Sequence, residues 1–248
     1  MSDSKVIAVT GASRGIGSAI VEELARRGHT VGCLSRKGTG PEDREVSPAI
    51  AERFINIACD ITDEDGIKTA LKALSERAGR IDALVNNAGV YFEKKVVDIT
   101  TAEFEEMVAT NLTAVFVMCR EVHPYLVEAG GGVIVNIGSY YEQLGVRYSA
   151  PYNAAKAGVG ALTRCLAVEW AREGIRVLDV APGIIITDIN REYLGSEGFR
   201  NLIRTRVPVG EPGTPEQVGK LVAALLGEDL PFFTGETIHI DGGQSVSV

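Results

Sequence analysis

Short runs of adjacent apolar residues recur along the chain, separated by longer stretches whose apolar positions fall at i, i+3 and i+4. The short runs are KVIAVT (5–10), HTVGCLS (29–35), FINIACD (54–60), DALVNN (82–87), GVIVNIGS (132–139), IRVLDVAP (175–182) and ETIHID (236–241). They are rich in β-branched residues and nearly continuous in their hydrophobicity, as in strands buried on both faces of a parallel sheet. Between most of them lie helix-compatible stretches such as SAIVEELARRG and DGIKTALKALSERAG, with their apolar residues on one face. This alternation predicts a single doubly wound α/β domain over 1–248, with a seven-stranded, mostly parallel sheet and helices on both faces. No linker-like shift in composition and no internal repeat interrupts it. The stretch 188–215, DINREYLGSEGFRNLIRTRVPVGEPGTP, is polar and broken by Gly and Pro, and reads as a mobile lid over a substrate site.

Composition narrows the function. The 248 residues are 45% hydrophobic, enough for a substantial core, and carry a formal net charge of −8. An acidic chain without a basic run is a poor nucleic-acid ligand. No apolar run approaches the roughly 20 residues of a membrane span, and the N-terminal MSDSKVIAVTGAS passes straight into strand-like sequence without a signal-peptide layout. Cys33, Cys59, Cys119 and Cys165 lie far apart in apolar contexts and read as buried free thiols of a cytoplasmic protein. His29, His123 and His239 are scattered, so no metal site is expected.

In open parallel sheets, ligands bind outside the carboxyl ends of the strands. After the first strand comes GASRGIGSAI, which places Gly11, Gly15 and Gly17 between strand and helix. Glycines permit a tight turn there, and the amides at the helix start can hold a pyrophosphate. An ordinary strand–helix turn is the alternative. Many dinucleotide sites carry an acid at the end of the second strand for the ribose 2′-hydroxyl. Here that strand ends in Ser35, Arg36 and Lys37, and Arg14 lies in the glycine loop. Two guanidiniums suit a 2′-phosphate and favour NADP(H), with NAD(H) possible if they are plain surface charges.

Two Tyr-x3-Lys pairs occur, Tyr91/Lys95 and Tyr152/Lys156, so spacing alone does not choose between them. Tyr91 follows NNAG in a loop. Tyr152 opens a helical stretch of small residues, APYNAAKAG, on which an i, i+4 pair shares one face. Ser139 ends a strand 13 residues upstream and can bring a hydroxyl to the phenol. Ionising a phenol near pH 7 needs about 3 pKa units, roughly 4 kcal/mol. One ammonium about 4 Å away supplies roughly that much gross attraction at an effective dielectric near 20.

With these residues in view, the chain resembles the short-chain dehydrogenase/reductase family over essentially its whole length. The resemblance rests on TGASRGIG (10–17), NNAG (86–89), Asn111 in ATNLTAVF, Ser139, YNAAK (152–156) and PGIIIT (182–187). It implies a Rossmann-type fold in which Tyr152 exchanges a proton with the substrate oxygen and Ser139 hydrogen-bonds that oxygen. Lys156 would bind the nicotinamide ribose and lower the phenol's pKa, and Asn111 would hold a relay water. The implied cofactor groove comprises Gly11, Ser13, Arg14, Gly15, Ile16 and Gly17, Ser35 and Arg36, Asp60 and Ile61, and Asn87, Ala88 and Gly89. Pro182, Gly183, Ile185 and Thr187 complete it, with Tyr152 and Lys156 themselves. For Asn87 a purely structural role in the turn is equally open. The resemblance also implies a homotetramer joined through helices 101–128 and 152–173.

Among family members, 3-oxoacyl-(acyl carrier protein) reductases are most alike in PYNAAKAG and TGETIHIDGG. They tend to carry basic residues before the fifth strand, where an acidic carrier docks. Here the segment reads LVEAGGGVIV, with Glu128 and no Lys or Arg. Aromatic residues gather instead at the expected mouth: Tyr91, Phe92, Tyr140 and Tyr141, with Tyr193 and Phe199 in the lid. Unless these rings merely pack, they suit a small hydrophobic or aromatic ketone and its secondary alcohol. The competing substrate is a 3-oxoacyl thioester. A non-catalytic dinucleotide sensor has no need of Ser139, Tyr152, Lys156 and Asn111 together.

Overall fold

The computed structural model describes residues 4–187 and 196–247. All seven apolar runs form strands: β1 (Val6–Thr10), β2 (Thr30–Ser35), β3 (Phe54–Ala58), β4 (Ala83–Asn86), β5 (Gly132–Ile137), β6 (Ile175–Pro182) and β7 (Thr237–Ile240). They make one sheet in the order β3-β2-β1-β4-β5-β6-β7, and every neighbouring pair is parallel. The order reverses direction at β1 and β4, so a crevice opens beyond their carboxyl ends. The inner strands are buried along all or nearly all of their length, whereas β3 and β7, at the two edges, are only partly covered.

Eight α-helices accompany the sheet among the described residues: α1 (Gly15–Arg26), α2 (Pro48–Ala51), α3 (Glu64–Ala78), α4 (Thr101–Val108), α5 (Ala114–Glu128), α6 (Ala150–Trp170), α7 (Glu197–Arg206) and α8 (Pro215–Gly227). One face of the sheet buries Leu71, Leu74, Met118, Val122, Val159 and Trp170 of α3, α5 and α6. The other buries Ile20, Leu24, Val218 and Val222 of α1 and α8. Buried amides pin α6 to the sheet. Asn86 Nδ2 donates to Asn136 Oδ1 at 2.9 Å, and Asn136 Nδ2 donates to Thr163 Oγ1 at 2.9 Å. A chain of satisfied polar groups of this kind fixes both position and rotation of a helix.

Two sequence expectations are revised. The helix expected over 101–128 is interrupted by a π-turn, Ala109–Thr113, because the Asn111 side chain competes for backbone partners. Cys33, Cys59 and Cys119 are buried free thiols, but Cys165 is exposed. It lies on the outer face of α6, which is itself apolar enough to make the local sequence look like core (Val168 there is 82% exposed). Of the expected lid, 188–195 including Tyr193 lies outside the described residues. The remainder contains α7, on which Phe199 is half-buried.

Candidate active site

The loop from β1 into α1 is built by its glycines. Gly11 and Gly15 take φ of +65° and +61°, which β-carbon-bearing residues adopt only with strain. A Cβ on Gly17 would stand 2.1 Å from the Gly11 carbonyl oxygen. Asn87 holds the loop from the next strand, its Nδ2 donating to Thr10 O at 2.9 Å and Gly11 O at 3.3 Å. The structural role left open for Asn87 is thus present. Arg14, at the N-cap of α1, supplies no side-chain cap. The Gly15 amide instead donates to Asp43 Oδ2 at 2.7 Å. Burial opposes ionisation of Asp43, but this amide with Ser18 and Arg44 more than offsets it and holds the carboxyl below its usual range. The helix end therefore already attracts an anionic oxygen, which is the chemistry a pyrophosphate needs.

Around this loop the other expected groove residues assemble. Thr187 Cγ2 would lie 3.5 Å from a Cβ on Gly15, and both residues line an open depression of about 430 Å3 with Asp43, Arg44 and Thr214. Ile185 is buried and pairs with Gly213, while Pro182 ends β6 and the Gly183 amide just beyond it donates to Ile240 O. Ser13 lies in the turn between β1 and α1, Ile16 in the first turn of α1 where it packs on the core, and the Ala88 amide donates to Thr10 Oγ1 at 3.1 Å. Asp60 Oδ1 accepts from the Thr62 amide at 2.9 Å and hydroxyl at 2.7 Å, and these bonds hold its carboxyl below the usual range. Ile61 beside it packs on the core. Arg14 and Arg36 are exposed and have no ion pair among the described residues; Arg36 lies close enough to Asp60 to act on it electrostatically. Ser35 differs from expectation. Its hydroxyl donates to Thr39 O at 2.8 Å and accepts from the Thr39 amide at 2.9 Å, so it builds the turn that carries Arg36 and has no donor left for a phosphate.

Tyr152 and Lys156 project from the first turns of α6 on one face, with the Lys156 Nζ 5.7 Å from the Tyr152 ring centroid. The small residues around them give clearance. A Cβ on Gly158 would meet Leu112 of the π-turn at 2.7 Å, and Ala155 is fully buried. Lys156 is buried and donates to Ile137 O at 2.6 Å. Burial pulls its ammonium down to about 8, against the upward pull of Asp179 and then Glu142. Burial pushes the Tyr152 phenol up to about 12, and the Ser139 hydroxyl beside it pulls the other way. The expected lowering of the phenol is thus not present in the protein alone. The ammonium is turned to the Ile137 carbonyl, and desolvation dominates. Ser139, at the end of β5, accepts from the Tyr141 amide at 3.2 Å.

Asn111 is fully buried in the π-turn. Its Nδ2 donates to Met107 O at 3.1 Å and Val90 O at 3.0 Å, and its Oδ1 accepts from the Val90 amide at 3.2 Å. It ties the loop after β4 to the helix pair, and a Cβ on Gly89 would reach Asn111 Oδ1 at 2.6 Å.

The aromatic residues divide. Tyr91 and Tyr141 stand edge-on to the Tyr152 ring, with centroids 5.0 and 5.9 Å away, and 6.3 Å from each other. The Tyr91 hydroxyl lies 2.6 Å from Glu93 Oε1 and 3.0 Å from Ser149 Oγ. Tyr140, expected at the mouth, is buried behind Tyr141 at 4.5 Å. The tight 3-10 turn Tyr140–Gln143 rotates consecutive side chains apart, so the two cannot face the cleft together. Phe92 makes no ring contact with this group among the described residues. Sequence reasoning missed Asn153, whose Nδ2 donates to Tyr141 O and Leu144 O and holds that turn. It also missed Tyr148, exposed and held at φ +68°, whose carbonyl accepts from the Lys94 amide. Neither has a signal in the sequence. It missed Glu142 and Asp179 as well, although an aspartate inside IRVLDVAP was such a signal.

The chain belongs to the short-chain dehydrogenase/reductase family. A family profile described as enoyl-(acyl carrier protein) reductase matches residues 11–245. The chain is 35% identical over 243 residues to a 3-oxoacyl-[acyl-carrier-protein] reductase of Vibrio harveyi, covering 98% of each. It is 36% identical over 247 residues to the 2-(R)-hydroxypropyl-CoM dehydrogenase of Xanthobacter autotrophicus, covering 98% of this chain and 99% of that one. A solved structure provisionally assigned as a short-chain alcohol dehydrogenase from Sinorhizobium meliloti superposes with a TM-score of 0.92 at 31% identity, covering 100% of this chain and 99% of that one. The protein is accordingly an oxidoreductase that acts on CH–OH groups and uses a nicotinamide dinucleotide.

Proposed function

We propose that this protein interconverts a small hydrophobic or aromatic ketone and its secondary alcohol, with NADP(H) as cofactor. The observation that carries the substrate class is the pair of rings, Tyr91 and Tyr141, standing edge-on to Tyr152. A planar or apolar carbonyl compound placed against them gains burial and edge-to-face contact, whereas a charged one does not. The relative named for a 2-hydroxypropyl compound supports the secondary-alcohol part of this reading.

The residues that would hold the dinucleotide are the Gly11–Gly17 loop, Asn87 to Gly89, Thr187, and Lys156. The exposed Arg14 and Arg36 would take a 2′-phosphate. The bound nicotinamide supplies the hydride. In reduction, the Tyr152 hydroxyl gives its proton to the carbonyl oxygen, while Ser139 donates a hydrogen bond to that oxygen as negative charge builds on it. Lys156, charged below about pH 8, stabilises the phenolate that Tyr152 becomes. Asn111 keeps the floor of the cleft in place and would hold the water through which the proton is replaced. The chain works as a homotetramer in the cytoplasm. Exposed apolar side chains on the helices assigned to its interfaces support the assembly: Phe104, Phe116 and Val168.

The second reading, reduction of a 3-oxoacyl thioester, is favoured by the name of the Vibrio harveyi relative. Steady-state kcat/KM on an aryl methyl ketone and on an acetoacetyl thioester separates the two. A preference of about a hundredfold or more for the thioester, roughly 2.7 kcal/mol of transition-state binding, overturns the first reading.

A further inference from the structure

One pair of acidic side chains lies buried behind the cleft with no part in the chemistry above. Glu142 sits on the 3-10 turn after Ser139, and Asp179 lies within β6, where it pairs in register with Asn136. Asp179 is fully buried and the Glu142 side chain is 4% exposed. Their carboxyl groups lie close enough for each to act on the proton affinity of the other. The backbone leaves room for them alone: a Cβ on Gly138 would stand 2.6 Å from both Asp179 oxygens, and one on Gly160 would stand 2.8 Å from Glu142 Oε2.

Donors are scarce around the pair: the Gly138 amide acts on Asp179, but its hydrogen bond goes to Val180 O at 2.8 Å. From β7, the Thr237 hydroxyl donates to Asp179 Oδ2 at 3.2 Å and has only one proton to give. His239 Nε2, also on β7, stops 4.0 Å from Glu142 Oε1. From α6, Arg164 is solvent-exposed and exerts the weakest pull on Glu142. Lys156 attracts both carboxyls, but its hydrogen bond goes to Ile137 O. Glu142 Oε1, Glu142 Oε2 and Asp179 Oδ1 are consequently buried with no donor among the described residues. Two ionised carboxylates would leave these acceptors unmet and place like charges side by side. One proton between them supplies the missing donor and removes one of the charges.

We propose that Glu142 and Asp179 are a positioning pair that shares one proton, and that its remaining negative charge keeps the buried Lys156 ammonium charged beside Tyr152. The proposal rests on the reading of Tyr152 and Lys156 as the acid–base set. Its electrostatics are consistent: burial alone drives Lys156 toward the neutral amine, and Asp179 with Glu142 provides the opposing pull. A neutral amine at this point leaves the phenolate without its cation. With both acids ionised, the pocket instead holds an excess negative charge that disfavours the phenolate.

The test reads protons directly on the full chain. Infrared spectra of the wild type at pH 7 should contain a protonated-carboxyl band that moves on deuteration. Among the described residues, Glu142 and Asp179 are carboxyl groups in which burial outweighs every stabilising contact, so their proton affinity rises overall. E142Q and D179N should each abolish the band, because the new amide donates to the surviving carboxylate and one negative charge remains. The Lys156 ammonium, followed in 1H–15N spectra and assigned with Lys156→Met, should keep its titration midpoint in either single variant. In E142Q/D179N, where the charge is gone, the midpoint should fall by about one pH unit, a tenfold loss of proton affinity. A wild type without the band, or a double variant with an unmoved midpoint, overturns the pair. If the double variant does not fold, E142Q decides, since it must lose the band and keep the midpoint. Neither readout needs a substrate, so failure of the proposed activity shows separately, as a folded wild type that turns over neither carbonyl compound.

Discussion

At the scale of single residues, the proton chemistry depends on burial more than on neighbours. Tyr152 is raised to about 12 and Lys156 lowered to about 8, both chiefly by desolvation. Removing the phenol hydroxyl in Tyr152→Phe should lower kcat by about 10²- to 10⁴-fold. Fluorescence titration should show dinucleotide binding retained, and unchanged turnover would remove Tyr152 from the mechanism. Arg36→Ala should weaken NADPH binding by about ten- to a hundredfold and leave NADH unchanged, as expected for loss of a charge-assisted contact of about 1.5–3 kcal/mol. Equal effects on both cofactors would mean that Arg36 does not read the 2′-phosphate. Glu142 carries a stability signature. Burial raises its carboxyl from 4.5 to about 8, so above pH 4.5 the folded chain keeps a proton that the unfolded chain releases. The resulting stability is fully present below about pH 4.5 and is lost as pH rises through 8. Denaturant unfolding of the wild type should therefore weaken from pH 5 to 8 more steeply than that of E142Q, and parallel curves would count against the raised carboxyl. The residue types of the set were legible in the sequence because each carries its own chemistry. The states of their protons were not, because desolvation depends on what packs round them.

At the scale of elements, periodicity located every strand, since burial on both faces leaves an unbroken apolar run whatever the tertiary detail. The helices were less legible. The family resemblance implies one helix over 101–128, yet the Asn111 side chain bonds to Met107 and to the Val90 loop within a π-turn that interrupts it. Tyr140 and Tyr141 look equivalent in sequence, and only the turn after Ser139 sends one inward. The glycine loop is the opposite case, since its motif announces a backbone constraint. In Gly17→Ala the new methyl would meet the Gly11 carbonyl at 2.1 Å, so the loop must open. A stability loss of about 1–3 kcal/mol by denaturant unfolding is expected, together with a large fall in dinucleotide affinity. Wild-type affinity in this variant would show that the close approach of Gly17 to Gly11 is not what shapes the site.

For the whole molecule, the outward apolar side chains of α4, α5 and α6 bear on assembly. Val168 is 82% exposed, and Phe104 and Phe116 are each 42% exposed. Light scattering at micromolar concentration should give the mass of four chains, and Val168→Glu should lower it while the far-ultraviolet spectrum is kept. A wild-type monomer would contradict the tetramer. Sequence alone determined the α/β class, the strand positions, the glycine loop and which side chains are candidates for the proton chemistry. These follow from local periodicity and from functional groups that no fold can change. Tertiary structure decided which tyrosines meet Tyr152, that Ser35 spends its hydroxyl on Thr39, and that Glu142 of one loop comes to rest against Asp179 of a distant strand. Those outcomes depend on which surfaces are brought together and stripped of water, and residues 37 positions apart carry no mark of it in their order.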